Sequence, residues 1–374
     1  MLEIRMLPAR QGDAIWIKWG KNSLKYQMMV DMGTTQVGTN IQEQLKHAGK
    51  EASEFELLVI SHVDGDHIGG VLSCLADEDP HVNIDFKDIW FNGWVHLDGG
   101  RVQGPHALTA GSSGAANDLE SFGPVQGELF SRWLGNRNWN KAFNTGPVCR
   151  VPGSDLPRIT LSDGLQLTIL GPSPARLSKF KPKWKKEVQK AIKKGTLDQV
   201  SPGLEAFGST DPPILETQED LEILAQTLNV NDSSEANGSS IILLLEYENH
   251  RILLAGDAFA DDIIEGLSLL DNGNKVRLDV FKIPHHGSKK NLTQEMVEQV
   301  SCKNWIFSTD GTQFRHPDSE AIARVVAYSS KSPVNLIFNV ESTFNKWWDN
   351  PDWQRMYHYS AAYGKDEDGI QITF

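Results

Sequence analysis

Cysteine is scarce in this chain. Its 374 residues include three cysteines, Cys74, Cys149 and Cys302, which lie far apart in the sequence. Three such residues cannot build a disulfide framework or a Cys-type zinc site, so we expect reduced thiols, as in a cytoplasmic protein. Any bound metal ion would then depend on His and Asp side chains.

Long apolar runs are also missing. The longest run, Ile241 to Leu245, is far shorter than the stretch of about 20 residues that a membrane-spanning helix requires. Residues 1–7 show no basic region followed by an apolar core, so we expect no signal peptide. These two absences predict a cytoplasmic protein with no membrane partner.

Positive charge is in deficit over the whole chain. The sequence holds 36 Lys and Arg against 49 Asp and Glu, which gives a formal net charge of −13. This balance argues against a generally basic surface for nucleic acid. Residues 176–195 are an exception, with nine basic residues and one Glu. This run could be a solvated surface or a phosphate-binding segment, and the sequence leaves both open.

The stretch richest in side chains that can bind metal is residues 62–67, His-Val-Asp-Gly-Asp-His. It follows the apolar run 57–60, which is typical of a buried strand, and precedes a helix predicted over 68–76. A strand-to-helix loop of this kind lies at the carboxyl edge of a sheet, a common place for α/β active sites. Clustered carboxylates repel one another without a cation, so this stretch predicts a dinuclear metal site rather than a solvated acidic turn.

A second group of candidate ligands comes late in the chain. A predicted hairpin, 241–245 with 251–254, ends at Asp257, and a predicted strand over 280–284 leads to His285 and His286. Adjacent histidines point in divergent directions. One can therefore bind metal while the other hydrogen-bonds substrate or orients a ligand, and the sequence alone does not separate them.

These motifs resemble those of a known family. His-x-Asp-x-Asp-His-x-Gly-Gly at 62–70 resembles the first metal motif of the metallo-β-lactamase fold. Asp64 in place of a second His, and Pro-His-His-Gly-Ser at 284–288, resemble the hydrolase domain of ComEC-type DNA-uptake proteins. The resemblance implies an α/β fold, the αββα sandwich, in which two mixed sheets lie between helices. It also implies one domain over 1–374, with insertions at about 92–147 and 175–235.

The resemblance also implies roles for individual residues. Asp257 would bridge two metal ions, and His285 is favoured over His286 as a ligand. The implied metal ligands are His62, Asp64, Asp66, His67, Asp257 and His285. Asp66, His286 and His316 are expected to take part in catalysis.

Several further residues are candidates for supporting roles. We expect Asp13 and Asp31 to be structural carboxylates that orient ligands or bind backbone N–H groups. Asn237 and Ser240 match the ComEC-type pattern before the hairpin, although Asn237 could equally be a turn residue. Arg315 could bind a phosphate or simply lie on the surface. Two histidines of the first insertion, His96 and His106, could be ligands or ordinary surface residues.

The predicted activity follows from the ligand set. Two divalent ions that share Asp257 and a bridging hydroxide would activate water and neutralise charge on a phosphoryl group. Because Asp64 adds oxygen character, the ions could be zinc or manganese. We therefore predict a soluble phosphodiesterase, in particular a DNA nuclease, acting alone or with protein partners. The alternatives are a hydrolase of a small phosphodiester or other ester, and a metal-stabilised binding module without turnover.

Overall fold

The computed structural model describes residues 1–47, 54–75, 84–103, 123–135, 137–194, 209, 211–228, 230–331 and 333–374. Its strands form two sheets. The first sheet, in spatial order, consists of β14 (Ile370–Thr373), β1 (Leu2–Met6), β2 (Ala14–Trp19), β3 (Tyr26–Met32), β4 (Glu54–Val59) and β5 (Asp85–Trp90). The strands from β14 to β3 pair antiparallel, and those from β3 to β5 pair parallel.

The second sheet has eight strands and is also mixed. In spatial order they are β13 (Tyr359–Tyr363), β12 (Val334–Phe338), β11 (Val300–Phe307), β10 (Val276–Lys282), β9 (His250–Leu254), β8 (Ile242–Tyr247), β7 (Gln166–Gly171) and β6 (Arg158–Thr160). The strands from β13 to β9 pair parallel, and β9 to β6 antiparallel. The predicted hairpin is therefore confirmed as β8 and β9.

Helices cover the outer face of each sheet. They are α1 (Gly38–His47), α2 (Gly65–Leu75), α3 (Pro124–Leu134), α4 (Pro174–Lys194), α5 (Gln218–Ala225), α6 (Ala260–Ser268), α7 (Gln294–Glu298), α8 (Ser319–Tyr328) and α9 (Pro351–Tyr357). The first four pack on the first sheet and the last five on the second. A third apolar cluster fills the space between the sheets. The predicted αββα sandwich of two mixed sheets is confirmed.

The apolar pattern of β2 shows why both faces of a sheet are covered. Side chains alternate between the two faces of a strand. Ile15 and Ile17 face the space between the sheets, whereas Trp16 faces the helices, and all three are almost completely buried. Because both faces carry apolar side chains, the strand must lie between two layers.

The alternating sequence of residues 2–7 predicts an edge strand, and this prediction is wrong. β1 pairs with β2 on one side and with β14 on the other, so β14 is the edge. The alternating pattern of β1 arises because Leu2, Ile4 and Met6 face the inner cluster. Which strand would pair on its other side depends on residues far away in the sequence, and the local pattern carries no information about this.

The two predicted insertions contain helices in their described parts. The sequence of residues 117–135 predicts a helix, which is confirmed over α3, while residues 117–122 lie outside the described residues. The sequence of residues 175–235 predicts a mostly helical insertion, and α4 and α5 confirm helices in its described parts. Trp184 of α4 donates a hydrogen bond of 2.8 Å to the carboxylate of Glu128 on α3. The two insertions therefore pack against each other.

No described helix combines the length and the apolar character that crossing a membrane would require.

Candidate metal centre

The candidate ligands lie where strands of the two sheets end. His62 and Asp64 follow β4, while Asp66 and His67 lie in the first turn of α2, which begins earlier than predicted, at Gly65. Its start is fixed by the Asp64 carbonyl, which accepts the N–H groups of His67 and Ile68 at 3.0 and 3.1 Å. This turn aims the side chains of the motif toward the second sheet.

The second sheet supplies the remaining candidates from two neighbouring strands. Asp257 follows β9, and His285 and His286 follow β10, which pairs parallel with β9. The His285 N–H donates to the Gly256 carbonyl at 3.1 Å, which ties the two strand ends together. Carboxyl ends of parallel strands meet at one edge, so the late motifs meet there as well.

Four imidazoles converge on the carboxylate of Asp257. Its Oδ1 lies 3.2 Å from His67 Nε2. Its Oδ2 lies 3.5 Å from His286 Nε2, 3.7 Å from His285 Nε2 and 3.9 Å from His62 Nε2. The sequence left open which residue of the His285–His286 pair turns toward the metal ligands. The structure turns the Nε2 atoms of both toward Asp257.

The opposite ring nitrogens of these histidines have hydrogen-bond acceptors. His67 Nδ1 lies 2.8 Å from Asp31 Oδ2, and His286 Nδ1 lies 2.9 Å from the Ser308 carbonyl. Because a carbonyl can only accept, His286 carries its proton on Nδ1 when neutral. The same argument for Asp31 leaves His67 Nε2 unprotonated. Both Nε2 lone pairs therefore face the interior of the cluster.

The nitrogen lone pairs in this cluster face one another, which is unfavourable unless a cation lies between them. His67 Nε2 and His286 Nε2 are 3.3 Å apart, although neither neutral ring has a proton there to share. The buried His62 Nε2 has no hydrogen-bond partner within the described residues. Nitrogen lone pairs and carboxylates directed at one point form the donor set that divalent transition metals bind. The side chains present therefore fit a metal centre.

The two carboxylates of the early motif differ in their surroundings. Asp66 Oδ2 lies 3.3 Å from His286 Nε2, inside the cluster. Asp64 Oδ2 lies 3.7 Å from His62 Nε2, and its side chain remains 35% exposed. Asp64 therefore faces the open side of the site.

Asp13 lies deeper in the cluster than the sequence indicates. Its carboxylate pairs with the buried ammonium of Lys282, and its Oδ1 is 3.4 Å from His286 Nδ1. Asp13, His67, Asp257 and His286 each present one ligand atom, and these atoms lie within 4.8 Å of one another. Lys282 is not among the residues predicted from the sequence, although a Lys inside the apolar strand Val-Phe-Lys-Ile was a usable signal.

The charges of the cluster shift its pKa values strongly. Burial would lower the pKa of His286, but Asp257 and Asp13 outweigh it and raise that pKa to about 10. Burial would also lower the pKa of His67, but Asp257 and Asp31 outweigh it and raise that pKa well above its usual value. For Asp257, burial favours a higher pKa, yet His286 and His67 hold it well below the usual range. Without a metal, protons on the histidines supply the positive charge that this cluster needs.

An outer layer of polar side chains holds His285. Its Nδ1 lies 2.8 Å from Asn291 Oδ1 and 3.4 Å from Asp232 Oδ2. Asp232 also accepts from the Asn237 amide at 2.7 Å and from the Asn291 amide at 3.0 Å. Asn237 is thus both part of a tight turn and a partner of this network. Asp232 and Asn291 belong to no motif, so their role could not be recognised before the structure was known.

The remaining candidates lie at different distances from the cluster. The Ser240 hydroxyl accepts the Asp257 N–H at 3.2 Å. The buried ring of His316 lies 5.7 Å from that of His285, and neither of its nitrogens makes a hydrogen bond to a described residue. Arg315 is half-buried beside His316.

The structure corrects the expectation that His96 is a ligand or a surface residue. His96 is buried, and its ring nitrogens contact the Gly93 N–H and the Thr145 carbonyl, so packing within the insertion accounts for it. His106 lies outside the described residues.

The backbone at the histidine pair is strained. His285 and His286 both have left-handed conformations, with φ of 48° and 55°. A non-glycine residue in this region costs about 1–3 kcal/mol. The strained turn sets the two rings at 75° to each other while both Nε2 atoms reach Asp257. Tight packing nearby also requires Gly12, where a Cβ atom would lie 1.7 Å from the Asp66 carbonyl oxygen.

A cavity of about 760 Å³ opens over these side chains. Asp64, Asp66, Asp257 and His285 form its floor. The walls come from α3, α4, the segment 230–236 and the loop that carries Phe314. A substrate can therefore reach the candidate ligands from solvent.

No protein-family model matches the chain. Over 111 residues, 29% of the chain, it is 26% identical to ComE operon protein 3 of Bacillus subtilis (strain 168), and the match spans only 14% of that protein.

Similar solved structures are distant. They include Zn²⁺-bound PqqB from Methylobacterium extorquens, with a TM-score of 0.42 and 9% identity over the whole of both chains. CmlA, a diiron β-hydroxylase from Streptomyces venezuelae, has a TM-score of 0.35 and 8% identity over 87% of this chain and 49% of CmlA. A long form of RNase Z from yeast has a TM-score of 0.35 and 11% identity over 99% of this chain and 41% of the enzyme.

The architecture and the positions of the candidate ligands indicate what kind of protein this is. Two mixed sheets lie between helical layers, and clusters of His and Asp side chains meet where strands of both sheets end. This combination supports a metal-dependent hydrolase. The chain is an αββα sandwich of two mixed sheets, and its candidate metal motifs resemble those of metallo-β-lactamase-fold proteins, in particular the hydrolase domain of ComEC-type DNA-uptake proteins.

Proposed function

We propose that this chain is a metal-dependent phosphodiesterase that cleaves DNA. The observation that carries the proposal is the convergence of four imidazole Nε2 atoms on the carboxylate of Asp257 at the floor of an open cavity. The resemblance to ComEC-type domains supports DNA as the substrate.

The ligand set divides into two halves around Asp257. His62, Asp64 and His285 would hold one divalent ion, and Asp66, His67 and His286 the other. Zinc and manganese both suit this mixture of imidazole and carboxylate donors. When bound, such ions lower the pKa of water and neutralise charge that builds on a phosphoryl group.

The chain's other residues prepare the site. Asp31 and the Ser308 carbonyl hold protons on Nδ1 of His67 and His286, which keeps each Nε2 free to ligate. The network around Asp232 does the same for His285. His316 has ring nitrogens free of hydrogen bonds to described residues, so it can donate to a phosphate oxygen or to the leaving oxygen.

Cleavage of linear single- and double-stranded DNA with Mn²⁺, Zn²⁺ or Mg²⁺ tests the proposal. We expect metal-dependent cutting that disappears in His67→Ala and Asp257→Ala variants. A variant of the exposed residue Lys303, Lys303→Ala, serves as the matched control and should cut like the wild type. Cutting that persists in both site variants would contradict the proposed centre.

The size of the cavity favours a second candidate, a hydrolase of a small phosphodiester. Its volume of about 760 Å³ lies within the range of pockets for small molecules. Hydrolysis of bis-p-nitrophenyl phosphate without cutting of either DNA would select this candidate. Metal binding without turnover of any substrate would instead select a binding module.

A further inference from the structure

Five lysines form a row along one side of α4. They are Lys179, Lys183, Lys186, Lys190 and Lys193, and we call them the α4 lysine row. Their spacing alternates between four and three residues, which places successive members about one helical turn apart on the same side. The row is about 21 Å long at 1.5 Å per residue.

The opposite side of α4 is fixed in the protein. Leu177, Phe180, Trp184 and Val188 are buried in the cluster that covers the first sheet. This side cannot enter a lipid bilayer, because it is already occupied by the protein core. The lysine row is therefore directed to solvent, and only its charges are offered to a partner.

Few acidic groups neutralise the row. Within the described part of the chain, Lys179, Lys186 and Lys193 form no ion pair. Lys183 lies 3.4 Å from Glu235 and Lys190 lies 3.7 Å from Glu187, and all four side chains are about one-third or more exposed. Exposed pairs of this kind are weak and can be exchanged for a phosphate. A basic row with only two acidic partners among the described residues is notable in a chain whose formal net charge is −13.

The row is continuous with the metal centre. Lys183 lines the same cavity as Asp64, Asp257 and His285, and Lys290 lines it as well. A polyanion on the row would therefore extend into the cavity that holds the candidate ligands.

The dimensions of the cavity distinguish between forms of nucleic acid. A volume of about 760 Å³ matches small-molecule pockets, so the cavity can enclose a nucleotide or two but is too small to enclose a double helix. A flexible single strand can both follow a line of charges and insert its end or a bend into such a cavity.

We propose that the α4 lysine row binds the phosphates of a single nucleic-acid strand and guides that strand into the metal centre. The proposal rests on the proposed nuclease function for the fate of the strand, but the binding itself requires no catalysis. It assigns a substrate form, single-stranded rather than duplex, to the site.

Binding of fluorescein-labelled oligodeoxythymidylate in the presence of EDTA tests this proposal without any turnover. The row variant is Lys179→Gln/Lys186→Gln/Lys190→Gln. The matched control replaces three exposed lysines elsewhere, Lys303→Gln/Lys331→Gln/Lys365→Gln, and both variants change the net charge equally. Equal midpoints of thermal unfolding establish that the variants are folded.

We expect the row variant to bind at least about tenfold more weakly than the control at low salt. For the row variant, the slope of the logarithm of the binding constant against the logarithm of salt concentration should be smaller in magnitude by about 2. Three phosphate contacts are lost, and each contact on a single strand contributes about 0.7 to that slope. Equal binding by the two variants would overturn the proposal. Duplex binding as tight as single-strand binding would overturn it too, as would binding to anionic vesicles but not to the oligonucleotide.

The outcome for the nuclease is separate. Loss of binding in the row variant, combined with no DNA cutting by the wild type, would support the lysine row and reject the nuclease. Cutting by the wild type with equal binding by both variants would support the nuclease and reject the row.

Discussion

Lys282 and Asp13, which are 269 residues apart in the sequence, form an ion pair in which both side chains are buried. Lys282 is the last residue of β10 in the second sheet, and Asp13 precedes β2 in the first. The pair therefore joins the two sheets directly beside the metal centre.

Lys282→Met should destabilise the protein strongly, because it leaves the buried Asp13 carboxylate without its cation. Breaking a buried pair from one side costs about 3–5 kcal/mol of unfolding free energy. Equilibrium unfolding in urea measures this loss. Lys303→Met, on an exposed position of β11, is the matched control and should change stability little. The double variant Lys282→Met/Asp13→Asn should recover part of the loss. A Lys282→Met protein as stable as the control would show that the pair contributes nothing.

Asp31→Ala should weaken metal binding, because Asp31 is the acceptor that holds the His67 proton on Nδ1. Loss of such a partner behind a metal-binding His typically costs about 10–100-fold in affinity. Titration calorimetry with Zn²⁺ or Mn²⁺ measures the effect, and Asp352→Ala, on an exposed turn of α9, is the control. Affinities that agree within twofold would show that Asp31 has no such role.

The metal-free protein should lose stability as the pH rises from about 6.5 to about 10. The folded state raises the pKa of His286 from 6.5 to about 10, so the protonated ring stabilises the fold fully below the lower value. That contribution disappears as the pH passes the higher value. Thermal unfolding in EDTA over this range measures the decline.

Bound metal should flatten this profile, because the cation replaces the protons of the cluster. Metal affinity should correspondingly increase with pH over the same range. His286→Gln, which cannot titrate, should also flatten the metal-free profile. Identical pH profiles for the metal-free wild type and the variant would contradict the assignment to His286.

Arg324→Ala should destabilise the fold by at least about 3 kcal/mol, because it leaves four carbonyls, two of them on buried residues, without a donor. The buried guanidinium of Arg324 donates to the carbonyls of Ala225, Thr227, Lys289 and Leu292, at 2.6 to 3.0 Å. It thus joins the end of α5 to the loop that follows the histidine pair. Arg355→Ala removes an exposed Arg on α9 and should cost less than about 1 kcal/mol. Similar losses of unfolding free energy for the two variants would contradict this role.

The sequence was informative wherever chemistry and local pattern coincide. The candidate ligands at 62–67 follow an apolar strand, and Asp257, His285 and His286 follow two more, so the strand ends that carry them could be recognised. The αββα architecture followed from the resemblance that these motifs carry.

What the sequence did not predict depends on distant partners. The role of Lys282 is visible only beside Asp13, and that of Asp232 only beside His285. β6 is three residues long and half exposed, too short for a pattern, and the neighbour of β1 is decided by residues 370–373. A local sequence pattern predicts whether a residue is buried, but it does not identify the distant residue that the side chain contacts.

The contacts of residues 11–13 have a consequence for the order in which the molecule forms. Gln11 meets Gln313, Gly12 meets Ser308 and Asp13 meets Lys282, across sequence separations of 302, 296 and 269 residues. Contacts between residues so far apart in the sequence form late, because a long loop must close before they give any stabilisation. During synthesis, His62 to His67 therefore leave the ribosome long before their partners on the second sheet exist. A nascent chain carries the first half of the candidate metal site without the second, and the site would become able to bind metal only when the two sheets dock.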